Sequence, residues 1–203
     1  MITEQLIPYP WQEKNWSDLM LQAEQNRLSH AYIVSGPSGI GKFDFVHKFS
    51  KYLLCGSPIN DLPCGECPDC ILHDNVHPNL RILKPESEGS EIKVDQVREL
   101  IEFMNLSATS QHKVAIIKTC NLMTIQAQDA LLKIAEDLNE KSSLILVSDQ
   151  VRSLLPTIYS RSHRLLIKEP SRIDIDSWIK SLGYHDETVF NFPSYFSPLD
   201  ILG

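Results

Sequence analysis

Residues 36–43 read Gly-Pro-Ser-Gly-Ile-Gly-Lys-Phe. Gly36, Gly41 and Lys42 satisfy G-x-x-x-x-G-K-[ST], a loop whose backbone amides and lysine cradle phosphates while its terminal hydroxyl ligates Mg²⁺. Gly39 adds a further glycine inside the turn. Phe43 stands at the hydroxyl position, and a benzyl group ligates nothing. The loop has the parts to hold a phosphate but lacks the metal ligand that hydrolysis uses.

A second constellation is Cys55, Cys64, Cys67 and Cys70, spaced C-x₈-C-x₂-C-x₂-C with Gly65 and Pro68 in the turns. Tight C-x₂-C steps bring sulfurs onto one centre, and four thiolates satisfy a tetrahedral Zn²⁺. With every position taken by cysteine, such a site is closed and structural. An iron–sulfur centre would accept the same donors, but the usual C-x₂-C-x₂-C-x₃-C-P run is absent. Four unliganded cysteines are the third reading. Cys120 stands apart and reads as a buried small hydrophobe. His73 and His77 lie nearby, but the thiolate set is complete without them.

A phosphate-loop ATPase also needs an acidic residue at the end of a later strand to hold Mg²⁺ and position water. The candidate strand, Val114-Ala-Ile-Ile117, runs into Lys118-Thr119-Cys120-Asn121, where no carboxylate stands and a lysine would oppose the metal. The next strand ends in Ser148-Asp149, where Ser148 could sense a phosphate by hydrogen bond. Two metal positions have thus lost their oxygen ligands. Hydrolysis is not expected, and ATP binding is expected to be weak or absent. A last candidate is Arg161, in Ser160-Arg161-Ser162. A guanidinium there could reach across an interface to phosphoryl-transfer charge, but beside Arg152 and Arg164 it also reads as solvated surface.

These residues need a scaffold, and the apolar pattern supplies one. Ala31–Ser35 is an unbroken apolar run leading into the glycine loop, and Phe45, Val46, Phe49, Tyr52 and Leu53 follow it at helical spacing. Strand, glycine turn, helix is the context that a phosphate loop requires. Further strands are expected at Leu80–Leu83, Val114–Ile117, Leu144–Val147 and Arg164–Ile167. Helices are expected over Ser17–Asn26, after Asp95 as N-cap, after Thr124 as N-cap, at Leu154–Tyr159 and at Ile173–Leu182. Glu86–Ser90 reads as a polar loop. Apolar strands alternating with helices predict an α/β fold, a mostly parallel sheet with helices on both faces. The cysteines form an insertion at 55–70. The pattern changes at Lys168-Glu-Pro-Ser171, which places a boundary near residue 168. Beyond it lies a smaller helical unit with six acids against two bases.

The chain has 203 residues and a net charge of −7, enough for one well-packed domain and an appendage. That charge argues against a free-standing nucleic-acid binder. The cysteine loop contains no lysine or arginine, which argues against a DNA-reading zinc ribbon. No stretch reaches a membrane span, and Met1–Trp16 has no basic-then-apolar signal, so a cytoplasmic protein with no membrane partner is expected. In a reducing compartment five cysteines favour metal or burial over disulfides.

Taken together, these features resemble the delta-prime family of bacterial DNA polymerase III clamp-loader subunits. The resemblance rests on Tyr9-Pro-Trp11, Leu28-Ser-His-Ala31, the loop at Gly36 and the cysteine spacing. It extends through Val94–Leu100, Lys113–Ile117, Asp129-Ala-Leu-Leu-Lys133 and Ser160-Arg161. It implies an AAA+ phosphate-loop NTPase-like domain over 1–168 with a zinc module at 55–70, and a small helical lid over 169–203. The family's C-terminal helical collar lies outside this sequence. It further implies a subunit that supports clamp loading onto primed DNA without hydrolysing ATP, with Arg161 as a finger acting in trans. Its partners would be the gamma/tau and delta subunits and, indirectly, the sliding clamp and primer–template DNA. The alternative within the same family is an active gamma/tau-like motor, which should carry Ser or Thr at position 43 and acids at 118–119. Three departures stand out: Ser162 in place of a cysteine, Glu136-Asp-Leu-Asn139 in place of Glu-Glu-Pro-Pro, and a Ser197–Leu202 region without an arginine.

Overall fold

The structure is a computed structural model, and it describes residues 8–73, 76–87, 89–105, 112–138, 141–150, 154–183 and 199. Side chains at 133–137 are not described, so the Glu136–Asn139 departure falls largely outside it. Arg152 and the Ser197–Leu202 region lie outside the described residues, apart from Leu199.

Five strands form one wholly parallel sheet: β1 (Ala31–Ser35), β2 (Leu80–Leu83), β3 (Lys113–Ile117), β4 (Ser142–Ser148) and β5 (His163–Leu166), in the order β2-β3-β4-β1-β5. β1, β3 and β4 are buried along their whole lengths, which is why their sequences read as unbroken apolar runs. Alternate residues face opposite layers. Tyr32, Val34, Val114, Ile116, Ile145 and Val147 pack with Trp16, Leu19 and Met20 of α1 (Glu13–Glu24) and Phe45, Val46 and Phe49 of α2 (Lys42–Leu54). Ile33, Ala115, Ile117, Leu144 and Leu146 pack on the other side. Their partners lie on α4 (Val94–Asn105), α5 (Ile125–Asp137) and α6 (Pro156–Arg161). The expected two-faced α/β arrangement is what forms.

The boundaries follow local chemistry. Thr124 accepts a hydrogen bond from Ala127 N and caps α5, as its position in the sequence predicts. Asp95 does not cap α4. It lies exposed inside the first turn and bonds Arg98 at 2.8 Å, while the Gln96 side chain reaches back to the Lys93 N–H. The glutamine accepts that amide through a capping-box return, and the helix starts at Val94, two residues earlier than an Asp95 cap would allow. Pro156 sits in the first turn of α6, where its missing N–H costs nothing, so Leu154 and Leu155 precede the helix. α1 starts four residues before the expected Ser17, directly after a 3₁₀ turn at Pro10–Gln12. Within the cysteine region a short helix not expected from sequence, α3 (Pro68–His73), carries Cys70.

The final described helix, α7 (Arg172–Ser181), is closed at its start by a Ser171–Asp174 capping box. Its Trp178 and Ile179 form a third, separate cluster with Tyr9, flanked by Trp11.

Candidate functional site

β1 is an interior strand and ends at Ser35, so the loop at 36–43 emerges from the carboxyl edge of the sheet. The chain's path reverses around this strand, with β4 on one side and β5 on the other, which is where open parallel sheets place ligand crevices. α2 starts at Lys42, immediately after Gly41, and points its N-terminus at the loop. Two glycines are sterically obligatory. A Cβ on Gly36 would lie 2.3 Å from Ile167 O, and one on Gly41 would lie 2.3 Å from the Tyr9 ring. Gly39 sits in the turn between them with φ 70. The phosphate-loop shape that the spacing predicts is therefore present.

Several of the loop's carbonyls, and Lys42, are already engaged by protein. Gln12 Nε2 donates to Ile40 O and Gly41 O, both at 2.9 Å, and Trp11 Nε1 donates to Ile40 O at 3.0 Å. Tyr9 stacks on Trp11 at 5.1 Å, and both rings meet the edge of Trp178. The Tyr9 hydroxyl donates to Asp44 at 3.3 Å, and burial together with that carboxylate pushes its phenol up from the ordinary tyrosine range. The segment Tyr9–Gln12 thus lies as a strap against the loop and ties it to α7. Its role was not legible in sequence: aromatic and amide residues of an N-terminal segment carry no signal of where they dock.

Lys42 has a side chain only 4% exposed. Its ammonium donates to the Pro37 carbonyl and pairs with Asp149 Oδ1 at 2.7 Å. Asp149 follows β4 directly, so the sheet register brings it beside the loop. Ser148, the residue with sensing potential, is turned inward: its hydroxyl donates to Gln150 O at 2.8 Å and accepts from Gln150 N. The two positions that lack metal ligands meet each other in space. Lys118 follows β3, and its ammonium sits 4.5 Å from the centroid of the Phe43 ring, a cation–π contact. An ammonium over an aromatic face thus stands where a hydroxyl and a carboxylate would flank Mg²⁺.

The four cysteines converge. Their sulfurs all lie within 4.8 Å of one another, with Cys55–Cys64 at 3.5 Å and both Cys55–Cys67 and Cys64–Cys70 at 3.9 Å. A tetrahedron with metal–sulfur bonds of about 2.3 Å has edges of about 3.8 Å, so the cluster has the size that such an ion needs. Backbone N–H groups of Cys64, Cys67 and Cys70 donate to the sulfurs of Cys55, Cys64 and Cys67, each at 3.4 Å. Amide donors of this kind favour thiolates, and those from Glu66 and Cys67 bring Cys64 down to about 6. Burial pushes Cys55 and Cys70 up. A cation at the centre would offset that cost. Four cysteines are therefore positioned to hold a metal ion. Cys120 is buried elsewhere, as expected.

Around this cluster, His77 Nδ1 accepts from Asn79 N at 3.0 Å, which leaves Nε2–H to donate to Asp69 Oδ1 at 3.2 Å. His73 bonds Ser50 of α2 at 2.8 Å. The two histidines are not ligands; they fasten α3 to the body of the fold.

Arg161 ends α6, exposed, with Nη1 donating to Thr157 O at 3.4 Å. Tyr32 pairs with His163 and Ser35 with Leu166, so Arg161 sits at the amino edge of the sheet. The chain's own loop lies at the opposite edge, about 16 Å away along a strand rising ~3.3 Å per residue. The structure does not bring Arg161 together with Lys42.

Comparison with known proteins gives a consistent picture. The family described as "DNA polymerase III, delta subunit" matches residues 11–171. The DNA polymerase III subunit delta' of Pseudomonas aeruginosa is 39% identical over 75% of this chain and 46% of its own length. That of Escherichia coli is 29% identical over 84% of this chain and 52% of its own. The chain thus spans about half the length of these curated relatives. Among solved structures, a DNA polymerase III gamma subunit-related protein from Thermotoga maritima superposes with a TM-score of 0.54 at 22% identity. That match covers 85% of this chain and 55% of that one, and is a likeness of fold.

Proposed function

The chain belongs to the DNA polymerase III delta-subunit family, and from that membership we propose that it is a delta-prime-type clamp-loader subunit that lends Arg161 to a neighbour's ATP. On this reading it does not turn over ATP itself. It supports loading of the sliding clamp on primed DNA alongside gamma/tau and delta subunits, in the cytoplasm. No described helix is long and apolar enough to cross a membrane.

The observation that carries the reading is the pairing of Phe43 with Lys118, beside a Lys42 engaged by Asp149. A motor subunit needs Mg²⁺ between the β- and γ-phosphates. Here the two positions that would hold it are filled by an aromatic ring and a positive charge. Nucleotide would have to displace Asp149 from Lys42, so any binding is weak. The gamma/tau-like alternative is disfavoured by the same contact.

Arg161 is supported by its place. At the far edge of the sheet it is useless to its own loop, yet exposed at the end of a helix where an adjacent subunit could meet it. The cysteine cluster is read as a structural Zn²⁺ site held by Cys55, Cys64, Cys67 and Cys70. The ion would supply only cross-linking, because no position remains for substrate. Residues 1–168 are read as the ATPase-like domain, and 169–203 as a small helical lid that meets it through Trp178.

The experiment is ATP turnover by the full-length complex carrying Arg161→Ala. The neighbouring site should lose about 10³–10⁵ in rate, and Arg161→Lys should not restore it, because lysine lacks the planar fork. An unchanged rate overturns the finger assignment. Mg²⁺-dependent multiple turnover by this chain alone would instead favour the motor reading.

A further inference from the structure

The cysteine module does more than close on itself: it carries an apolar surface outward. Ile59 and Leu62 form an antiparallel bridge, with Ile59 N donating to Leu62 O at 2.9 Å and Leu62 N to Ile59 O at 3.0 Å. Between them Asn60 and Asp61 both have positive φ, 49 and 62, the signature of a two-residue type I′ hairpin turn. Residues directly opposed in such a pair project to the same side of the ribbon. Ile59 is 60% exposed and Leu62 36%. The tip is tied down, because the buried Trp16 of α1 donates its indole N–H to Asp61 O at 3.1 Å. On α3, Cys70 and His73 face inward, whereas Ile71 and Leu72 are exposed at 56% and 42%. A module pinned by a tryptophan, by His73 and by its own cysteines therefore displays four large aliphatic side chains to solvent.

Its charge says what could cover them. Residues 55–80 contain no lysine or arginine, but include Asp61, Glu66 and Asp69. Asp61 and Glu24 both lie near enough to Tyr52 to raise its phenol, behind burial as the main cause, so two carboxylates stand at this corner. An acidic, aliphatic surface repels nucleic acid and a second copy of itself. It attracts a segment with aliphatic anchors set among cations.

We propose that the exposed aliphatic side chains of the cysteine module, Ile59 and Leu62 on the hairpin and Ile71 and Leu72 on α3, together with the exposed carboxylates of Asp61 and Glu66, form a docking surface for a basic amphipathic segment of a partner protein. None of these residues belongs to the nucleotide loop and Arg161 is not among them, so the proposal does not rest on the role assigned to either. Two or three aliphatic anchors set in preformed contacts carry most of the affinity of such an interface, and the carboxylates speed and orient the encounter.

The probe is a leucine–lysine amphipathic peptide, with a leucine–glutamate peptide of the same pattern as control. Fluorescence anisotropy measures the binding of both to the full chain. The lysine peptide should bind in a salt-sensitive manner, and the glutamate peptide should bind at least about tenfold more weakly. Ile59→Asp with Leu62→Asp should weaken the lysine peptide about tenfold or more. Both sites are exposed, and unchanged metal content and circular dichroism check the fold. Asp61→Asn with Glu66→Gln is the second variant; asparagine tolerates the positive φ, so it tests charge alone and should lower affinity and flatten the salt dependence. Equal binding of both peptides, no binding of either, self-association in place of peptide binding, or indifference to the Ile59/Leu62 pair would each overturn the proposal.

Discussion

Asp149→Asn should make this chain bind ATP better without making it an ATPase. In the native chain the Lys42 ammonium is nearly inaccessible and lies 2.7 Å from a carboxylate whose side chain is 43% exposed. Two unit charges at that distance attract by about 6 kcal/mol at an effective dielectric near 20 and by about 1.5 kcal/mol in bulk water. Because Asp149 is solvated on one side, the lower figure governs, and about 1–2 kcal/mol is the reasonable worth of the pair. A triphosphate entering the loop must give up that attraction and also face the Asp149 charge. Asparagine removes both costs at constant shape, so affinity should rise about 5–30-fold, since 1.4 kcal/mol is tenfold. The unliganded variant should lose a comparable ~1–2 kcal/mol of stability in urea, because Lys42 keeps only the Pro37 carbonyl. Calorimetric titration with ATP, against Asp149→Asn/Lys42→Ala as control, is the assay. Turnover should stay at background, since Phe43 and Lys118 are untouched. If the folded single variant binds ATP no more tightly than the native chain, Asp149 is not what holds Lys42 from phosphate, and the argument for a self-occupied loop fails.

Stripping the proposed metal from the cysteine module, by a strong chelator or by Cys70→Ser, should speed amide exchange across residues 55–73 while the sheet stays protected. Structural zinc sites supply up to about 10–16 kcal/mol in small peptides, so the local effect should be large, and unaltered exchange would remove the structural role. Gly41→Ala should destabilise by about 2–4 kcal/mol in chemical denaturation, because its Cβ meets the Tyr9 ring at 2.3 Å on a backbone with φ 75; a near-neutral result would mean the strap is not seated there. Burial, with a smaller contribution from His30, pushes His112 down to about 4, and its ring bonds Ser143 at 2.9 Å. The unfolded chain therefore takes the proton first as pH falls. Stability from this group is complete above about pH 6.5 and declines by about 3 kcal/mol on the way to pH 4, at ~1.36 kcal/mol per pKa unit. His112→Gln should flatten the stability–pH curve in that window, and an unaltered curve would place the dependence on another group.

Much of the site was readable from local pattern. The glycine loop needed only its own spacing and the strand and helix beside it, because one short segment contains its whole geometry. The cysteines were equally plain: ligand type and C-x₂-C steps restrict the centre almost without reference to the fold. Asp95 was misread because the neighbouring side chain competed for the same helix start: Gln96 reaching back decides it, and composition alone does not rank the two. α3 escaped notice because six residues are too few to show a period.

What the sequence determined by itself was therefore everything carried by neighbours along the chain: the parallel α/β plan, the loop at Gly36, the loss of two metal ligands and the four-thiolate set. What only the tertiary structure decided was which distant residues occupy the space those features leave. Phe43 and Lys118 are 75 positions apart in sequence and meet because β1 and β3 flank β4 in one sheet and release their loops at the same edge. Asp149 reaches Lys42 for the same reason, and Tyr9–Gln12 reach the loop by packing. Sheet order and register set these encounters. They depend on non-local burial, which no local spacing encodes.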